Sequence, residues 1–479
     1  MLRDLLGDTL KYGVGKVLLK FFSILVVPII AKNFPPDIFG EINIVTVFIG
    51  LFLSIAVLGL DSAVGYYYYH GEEHLKRDYL GTAFIVRIFL SLILFAIVFI
   101  FASKLAGSDI LLKDSEKYLL IILGAAVIPF DNCMSYFVDL TRFLIKPVIF
   151  NIINILKVII YYLLIIFFLL TNFTVERIFI AILFSSLIPA VFLFFYFRNL
   201  LSLRVNIYCL KRLLKHGLPL VPASMMFFFM NSANRFVLNT YTSLEDVGIF
   251  SLMNSVASIF LLITSSIIMA WPPYAMIIAK KEDAQTVFAR VSTLLLVLLV
   301  PMAFLFWSIS GIIIIIFSTP IYLKGENVII LLVMQHILNL LYYCVGIGLT
   351  LKEKTIYITI GYTIAGLIAV GLSFPLCKYW GIFGAALSSF IGYLISTLYV
   401  AYKSQQFYKI PYKFKFIFVY SLVVMIIMFC SLLLPNSDLL FNFIIRFILG
   451  CIFFSFPFLI KFISIHEIKS FFLNKKTLQ

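Results

Sequence analysis

Asp131, Ser135, Asp139 and Arg142 recur at i, i+4, i+8 and i+11 in an otherwise apolar stretch. Ser224, Asn231, Arg235 and Asn239 recur at i, i+7, i+11 and i+15 in another. At those intervals the side chains share one helix face. Asn151, Asn154 and Lys157 mark a third such stretch, Lys16, Lys20 and Ser23 a fourth, and Gln335, Asn339 and Tyr343 a fifth. A charge at mid-bilayer costs about 2.5–3.5 kcal/mol on the insertion scale. Lys20, Lys157 and Arg235, the most deeply placed, are therefore expected to face a water-filled cavity or protein. With Lys16, Arg87, Arg142 and Arg290 they make seven candidate substrate-binding cations, against the acids Asp61, Asp131 and Asp139. An interior with excess positive charge attracts an anion, and phosphate suits Arg and Lys best. Asn154, Asn231, Gln335 and Asn339 could hydrogen-bond sugar hydroxyls. Lys16, Arg87 and Arg290 also lie within two turns of a span end, where long side chains snorkel to headgroups. Asp139 and Arg142 also suit an i,i+3 pair. Asp131 is either the partner of a nearby cation or a proton-titrating group, and Arg446 either pairs within the bundle or snorkels.

The elements that carry these stripes are apolar helices. Of 479 residues, 63% are hydrophobic and 12% charged, far from soluble composition. Apolar windows of about 20 residues must be helices in lipid, which offers the backbone no hydrogen bonds. Spans are expected near 13–31, 41–60, 81–102, 118–138, 147–170, 178–197, 217–240, 246–270, 287–308, 326–349, 355–375, 381–402, 413–434 and 440–460. The fold class is thus an all-α polytopic membrane protein of about 14 transmembrane helices. Residues 312–316 with Pro320 either extend the ninth span or form a re-entrant turn. With both termini cytoplasmic, 23 of the 37 Lys and Arg fall in cytoplasmic tails and loops and 7 in external loops, a positive-inside pattern. The N-terminus, broken by Arg3, Asp4, Asp8 and Lys11, reads as a short amphipathic cytoplasmic helix and not a cleaved signal. The formal charge of +15 is explained by lipid headgroups, so membrane lipids and not nucleic acid are the expected partners.

Enzyme motifs are few. No GxxxxGK[ST] loop or GxSxG elbow occurs. His70-Gly71-Glu72-Glu73-His74 fits an HxxEH zinc pattern, but it falls in a short charged loop weakened by Gly71 and reads as solvated. The six cysteines are scattered, so neither a disulfide framework nor a metal site is implied. No enzyme activity and no cofactor are expected. Gly381, Gly384, Ala385, Ser388 and Gly392 form a small-residue face suited to close helix packing.

The chain also repeats itself. Lys11-Tyr12-Gly13 leads to Asp37-Ile38-Phe39-Gly40, and Lys215-His216-Gly217 leads to Glu245-Asp246-Val247-Gly248, 204 to 208 residues later. A duplicated membrane bundle implies two lobes able to rock around a site between them. The expected organisation is two pseudo-symmetric six-helix lobes, residues 1–200 and 201–405, plus two further helices and a cytoplasmic tail, residues 406–479.

These motifs carry a resemblance. The Lys11-Tyr12-Gly13 helix, Pro36-Asp37-Ile38-Phe39-Gly40, Gly217-Leu218-Pro219-Leu220-Val221-Pro222, Asn234-Arg235-Phe236, Glu245 through Ser251, Trp271-Pro272-Pro273 and Gly381-Ile382-Phe383-Gly384-Ala385-Ala386 follow one another in order. With them the chain resembles the Wzx-type O-antigen and capsule flippases of the multidrug/oligosaccharidyl-lipid/polysaccharide (MOP) exporter superfamily. One departure is Asn234, where that family commonly has an acidic residue before the arginine of the seventh span. The resemblance implies alternating access in a bacterial cytoplasmic membrane. It implies an undecaprenyl-pyrophosphate-linked oligosaccharide carried from the cytoplasmic to the outer leaflet for lipopolysaccharide or capsule, and a polysaccharide polymerase and glycosyltransferases as partners. A lipid II flippase of the same superfamily is the nearest rival. A membrane-embedded polymerase or ligase is the rival of another class; such enzymes carry a large external loop, and the longest external segments here are about 15–18 residues.

Overall fold

In a computed structural model, residues 21–22, 24–432 and 439–459 are described. Lys16, Lys20 and the expected amphipathic N-terminal helix lie outside them. The chain is α-helical: α1 (Ile24–Asn33), α2 (Pro36–Val57), α3 (Leu60–His70), α4 (Lys76–Ala106), α5 (Tyr118–Phe143), α6 (Pro147–Thr171), α7 (Val175–Phe197), α8 (Ile207–Gly217), α9 (Val221–Tyr241), α10 (Leu244–Ile278), α11 (Ala284–Phe317), α12 (Ile329–Val345), α13 (Ile347–Leu351), α14 (Ile356–Phe407), α15 (Phe414–Leu432) and α16 (Leu439–Leu459). Nine helices among the described residues are long and apolar enough to cross a membrane, with shorter apolar helices at α1, α15 and α16. The protein is an all-α, multi-pass membrane protein.

Four expected spans take a shape that spacing does not reveal. The second continues as α3 to His70 after a break at Leu58 and Gly59, both left-handed (φ 51° and 65°). The ninth absorbs residues 312–316 and runs to Phe317, followed by a 3-10 stretch, Pro320–Val328, with no re-entrant turn. The eleventh and twelfth meet without a loop inside α14, at Gly381 (φ 49°, ψ −126°), a backbone geometry that glycine adopts without the Cβ clash of other residues. Just beyond it, Gly384 lies against the Leu376 carbonyl, and Gly392 lies on Ala369 and Ala365. The small-residue face is therefore what lets the two arms of α14 pack so closely.

The helices form two compact units, residues 1–255 with 359–392 and residues 256–358 with 393–479. In the first, α5 packs against α4 and α7 around Phe84, Tyr136, Phe137, Leu193 and Phe197, all buried. Phe137 stacks on Phe197 at 5.9 Å and packs on Phe84 at 5.3 Å. In the second, α11 packs against α12 and α16. There Arg446 neither snorkels nor faces lipid. It is 4% exposed, pairs with Glu326, donates to Asn327 Oδ1 (2.8 Å), and lies 4.2 Å from the Trp307 ring centre. Glu326 also accepts from Ser310. A buried pair is weak evidence of net stability, but breaking one strands a desolvated charge. Glu326→Ala should cost about 3–5 kcal/mol, seen as a large drop in detergent melting temperature. Glu326→Leu with Arg446→Met should recover most of it. Equal losses in the single and double variants would disprove the pairing.

Candidate functional site

Among the described residues, Arg87, Arg142 and Lys157 are already matched. Arg87 is 1% exposed. It does not snorkel, because its Nε (2.9 Å) and one terminal nitrogen (2.6 Å) both donate to Asn132 Oδ1 on α5. That nitrogen also donates to Ser135 Oγ (2.9 Å). Asn132 returns bonds to the Arg87 carbonyl (3.2 Å) and Ser91 Oγ (2.6 Å). Asp139 lies 3.8 Å from Arg87 and 3.4 Å from Arg142, which is the expected i,i+3 pair, exposed at the helix end. Asp61, in the first turn of α3, faces the same cluster. Lys157 on α6 pairs with Asp131 on α5, which also accepts from Ser186 Oγ on α7 at 2.9 Å. Asp131 is thus the partner of a cation, and these acids join α4, α5, α6 and α7 where apolar surface alone would let the helices slip. Asn154 donates to the Phe150 carbonyl one turn back.

Arg235 is different. It is 8% exposed, its Nε donates to Ser251 Oγ (3.2 Å), and the Phe250 ring centre lies 5.8 Å from its Cζ. Among the described residues no carboxylate pairs with it. Asn234 is fastened to α14 by Nδ2 bonds to Ser389 Oγ (3.0 Å) and the Ala385 carbonyl (3.4 Å), and its buried Oδ1 has no partner. Asn231 lies one turn before Arg235 on the same helix face. A guanidinium presents five N–H donors in a planar fork, so most of this one remains available to an anion.

One turn before Ser251, the partner of Arg235 on α10, the duplicated turns meet. A Cβ on Gly40 would strike the Leu244 carbonyl, and one on Gly248 would strike the Pro36 carbonyl. Residue 36 matches 244 and residue 40 matches 248 at the repeat offset, so α2 and α10 touch reciprocally through equivalent atoms. Both turns start helices, with Asp37, or Glu245 and Asp246, favourably placed at the positive helix end. Two hooks flank this dyad. Lys117 pairs with the buried Glu41. Lys113, left-handed at φ 56°, donates to the Thr242 carbonyl (3.5 Å) and the Asn239 carbonyl (2.5 Å). Asn239 Nδ2 donates in turn to the carbonyls of Asp109 (3.3 Å), Ile110 (3.1 Å) and Leu111 (2.5 Å). In the same unit Gly217 packs on Gly59, with the Leu58 carbonyl 2.8 Å from its Cβ position. His216 stacks on Tyr66 at 4.7 Å.

The second unit holds Gln335, buried with its Oε1 unpartnered, Asn339, and Arg290, which is exposed in the second turn of α11. In the HxxEH segment, His70 stacks on Tyr66 (4.8 Å) and His74 is an exposed neighbour of Glu72. Spacing alone missed Lys113 and Lys117, which sit in or beside a loop that a span-by-span reading treats as solvent, and Glu41, which opens the second span with no polar stripe following it. The one signal for them was Asn239, at the end of its stripe.

A polytopic helical bundle built on a duplicated half, with a buried cation that no carboxylate pairs among the described residues, defines a multi-pass membrane protein that holds charge among its helices. Among solved structures, the lipid II flippase MurJ in an inward closed conformation is similar with a TM-score of 0.70 at 14% identity, over 94% of this chain and 99% of its own. An inward-facing multidrug resistance MATE family transporter of the MOP superfamily is similar at 0.62 and 13%, over 81% and 94%. An outward-facing one is similar at 0.55 and 15%, over 83% and 95%. No curated protein matches in sequence. The polysaccharide biosynthesis protein family matches residues 29–324, more than half the chain. The chain belongs to that family.

The dyad has a direct test. Gly248→Leu puts a side chain on the Pro36 carbonyl, so α2 and α10 must part. Ile44→Cys, one turn past Gly40 and fully buried, should then react with a membrane-impermeant maleimide in a background freed of other reactive cysteines. Unchanged protection would show that the glycine contact does not hold the two helices together.

Proposed function

We propose that the protein is a flippase that moves an undecaprenyl-pyrophosphate-linked oligosaccharide, the repeat unit of an O-antigen or capsule, from the cytoplasmic to the outer leaflet of a bacterial cytoplasmic membrane. The observation that carries this reading is Arg235, a buried cation left without a carboxylate among the described residues while Arg87, Arg142, Lys157 and Arg446 each have one. A buried charge without a partner is costly. A bound pyrophosphate would supply the missing negative charge, and Arg suits its geometry because two N–H groups can bind two oxygens at once. Asn231, on the same face, would take a sugar hydroxyl. The basic distribution supports cytoplasmic termini, so the Gly40–Gly248 dyad with its Lys113 and Lys117 hooks acts as the outer gate. Residues 1–200 and 201–405 are the halves that alternate, and 406–479 add two helices and a tail. Glycosyltransferases would supply the substrate and a polymerase would consume the product. The likeness to MurJ favours lipid II as a second reading.

In a strain lacking its own flippase, Arg235→Ala should abolish surface glycan at normal protein abundance, with Arg235→Lys retaining part of it. Normal glycan in Arg235→Ala would remove this residue from the substrate site. Depletion of the protein should accumulate the lipid-linked repeat unit and leave lipid II unchanged; the reverse pattern selects the second reading. Lys157→Ala should act through folding, stranding Asp131 at a cost of roughly 1–3 kcal/mol for a half-buried pair. Removing Asp131 as well should restore protein level and glycan. If the double variant is abundant but inactive, Lys157 itself handles substrate.

A further inference from the structure

Between Glu176 and Glu245 the sequence contains no acidic residue, yet it holds Arg198, Arg204, Lys211, Arg212 and Lys215 close together. These fall on the strap that joins α7 to α9, residues 198–220, which includes the short helix α8. The strap is pinned to α4. Ser202 N–H donates to the Arg77 carbonyl (3.0 Å), Asn206 N–H to Thr82 Oγ1 (3.0 Å), and Asn206 Nδ2 to Asp78 (2.9 Å). Gly81 leaves room for the Ser202 backbone to rest on α4. The buried side of α8 inserts Cys209 and Leu213 against α3 and α4, where burial pushes the Cys209 thiol up to about 11. Arg212 also turns inward, to Glu72 (3.1 Å) and the Tyr79 hydroxyl (2.9 Å).

The other four cations point outward, and among the described residues none forms an ion pair. Lys146, on the neighbouring α5–α6 turn, adds a fifth, its Nζ 5.9 Å from the Tyr196 ring centre. Arg198 lies 5.6 Å from the Phe195 ring. Between the cations, Leu203 (60%), Val205 (46%), Ile207 (67%) and Tyr208 (52%) are exposed. An aqueous surface has no use for three aliphatic side chains set among charges, and nucleic acid would meet the cations but not the aliphatics. The strap lies where two apolar spans end, at the level where hydrocarbon gives way to headgroups. There the aliphatics reach the acyl boundary and the cations reach phosphates.

We propose that the outward face of residues 198–215, with Lys146, is a docking surface for anionic phospholipid headgroups. Pinning to α4 holds the face in one conformation before lipid arrives, so binding orders little new backbone. This surface is independent of Arg235 and of the identity of the transported glycan, and it stands even if the flippase reading fails.

The test uses the full-length protein in detergent, titrated with phosphatidylglycerol or phosphatidylcholine, with melting temperature and retained lipid by native mass spectrometry as readouts. Wild type should be stabilised by phosphatidylglycerol alone. Each cation contributes about fivefold to binding an anionic surface, so Arg204→Gln/Lys211→Gln/Lys215→Gln should weaken phosphatidylglycerol binding by about a hundredfold. A control with the same charge loss elsewhere, Lys32→Gln/Lys104→Gln/Lys378→Gln, should bind as wild type does. The proposal is overturned if the strap variant binds phosphatidylglycerol within about twofold of wild type, or if the control loses as much. A third arm uses inorganic pyrophosphate without lipid. If the strap variant loses pyrophosphate binding but keeps phosphatidylglycerol binding, the surface is a soluble-phosphate site and the proposal is wrong. Arg235→Ala should keep the full phosphatidylglycerol effect, which separates this surface from the transport site.

Discussion

An ammonium or guanidinium buried among apolar helices requires a local counter-charge, because neither lipid nor a hydrocarbon core can solvate it. Much of the architecture follows from meeting that requirement. Asp139 and Asn132 hold Arg87 between α4 and α5, Asp131 and Ser186 hold Lys157 across α5, α6 and α7, and Glu326 holds Arg446 to the segment before α12. Apolar helices in lipid gain little by packing on one another, since lipid tails are as apolar as leucine. The paired charges are the directional contacts that define which helix meets which. Arg235 stands outside this scheme, with Ser251 and no carboxylate as its partner among the described residues.

The second organising feature is close backbone approach. Gly40 and Gly248 bring the first turns of α2 and α10 together with no side chain between them, and Gly59 and Gly217 do the same further along. Contacts of this kind are made fully or not at all, because interdigitated backbone does not deform gradually. They are short-range contacts of backbone on backbone, so they vanish with a small separation. A few polar hooks such as Lys113–Asn239 add direction to the contact.

Much of this was legible in the residues. Composition and window length define helical spans, and polar stripes at helical intervals mark which faces avoid lipid. The 204–208 offset marks the pairs of turns that meet, although the repeat alone says only that they are equivalent and not that they touch. The charge stripes were harder to interpret. Seven cations against three acids suggested an interior of diffuse positive charge. Among the described residues the charge is instead largely neutralised in pairs, because partners such as Asp131 for Lys157 lie 26 residues apart and Glu326 for Arg446 lies 120 residues apart. No periodicity within one helix reports such a match.

The sequence by itself determined the class of molecule. A hydrophobic content of 63%, the lengths of the apolar windows and the requirement that lipid-facing backbone bond to itself leave a helical bundle as the solution. Those are local, additive properties of the chain. Only the tertiary structure decided which of the described cations meet a carboxylate and which do not, that the twin glycine turns face each other, and that the basic strap exposes its aliphatics and charges together. Each of these depends on side chains brought together from distant segments, where a hydrogen bond or ion pair is made or lost within an ångström.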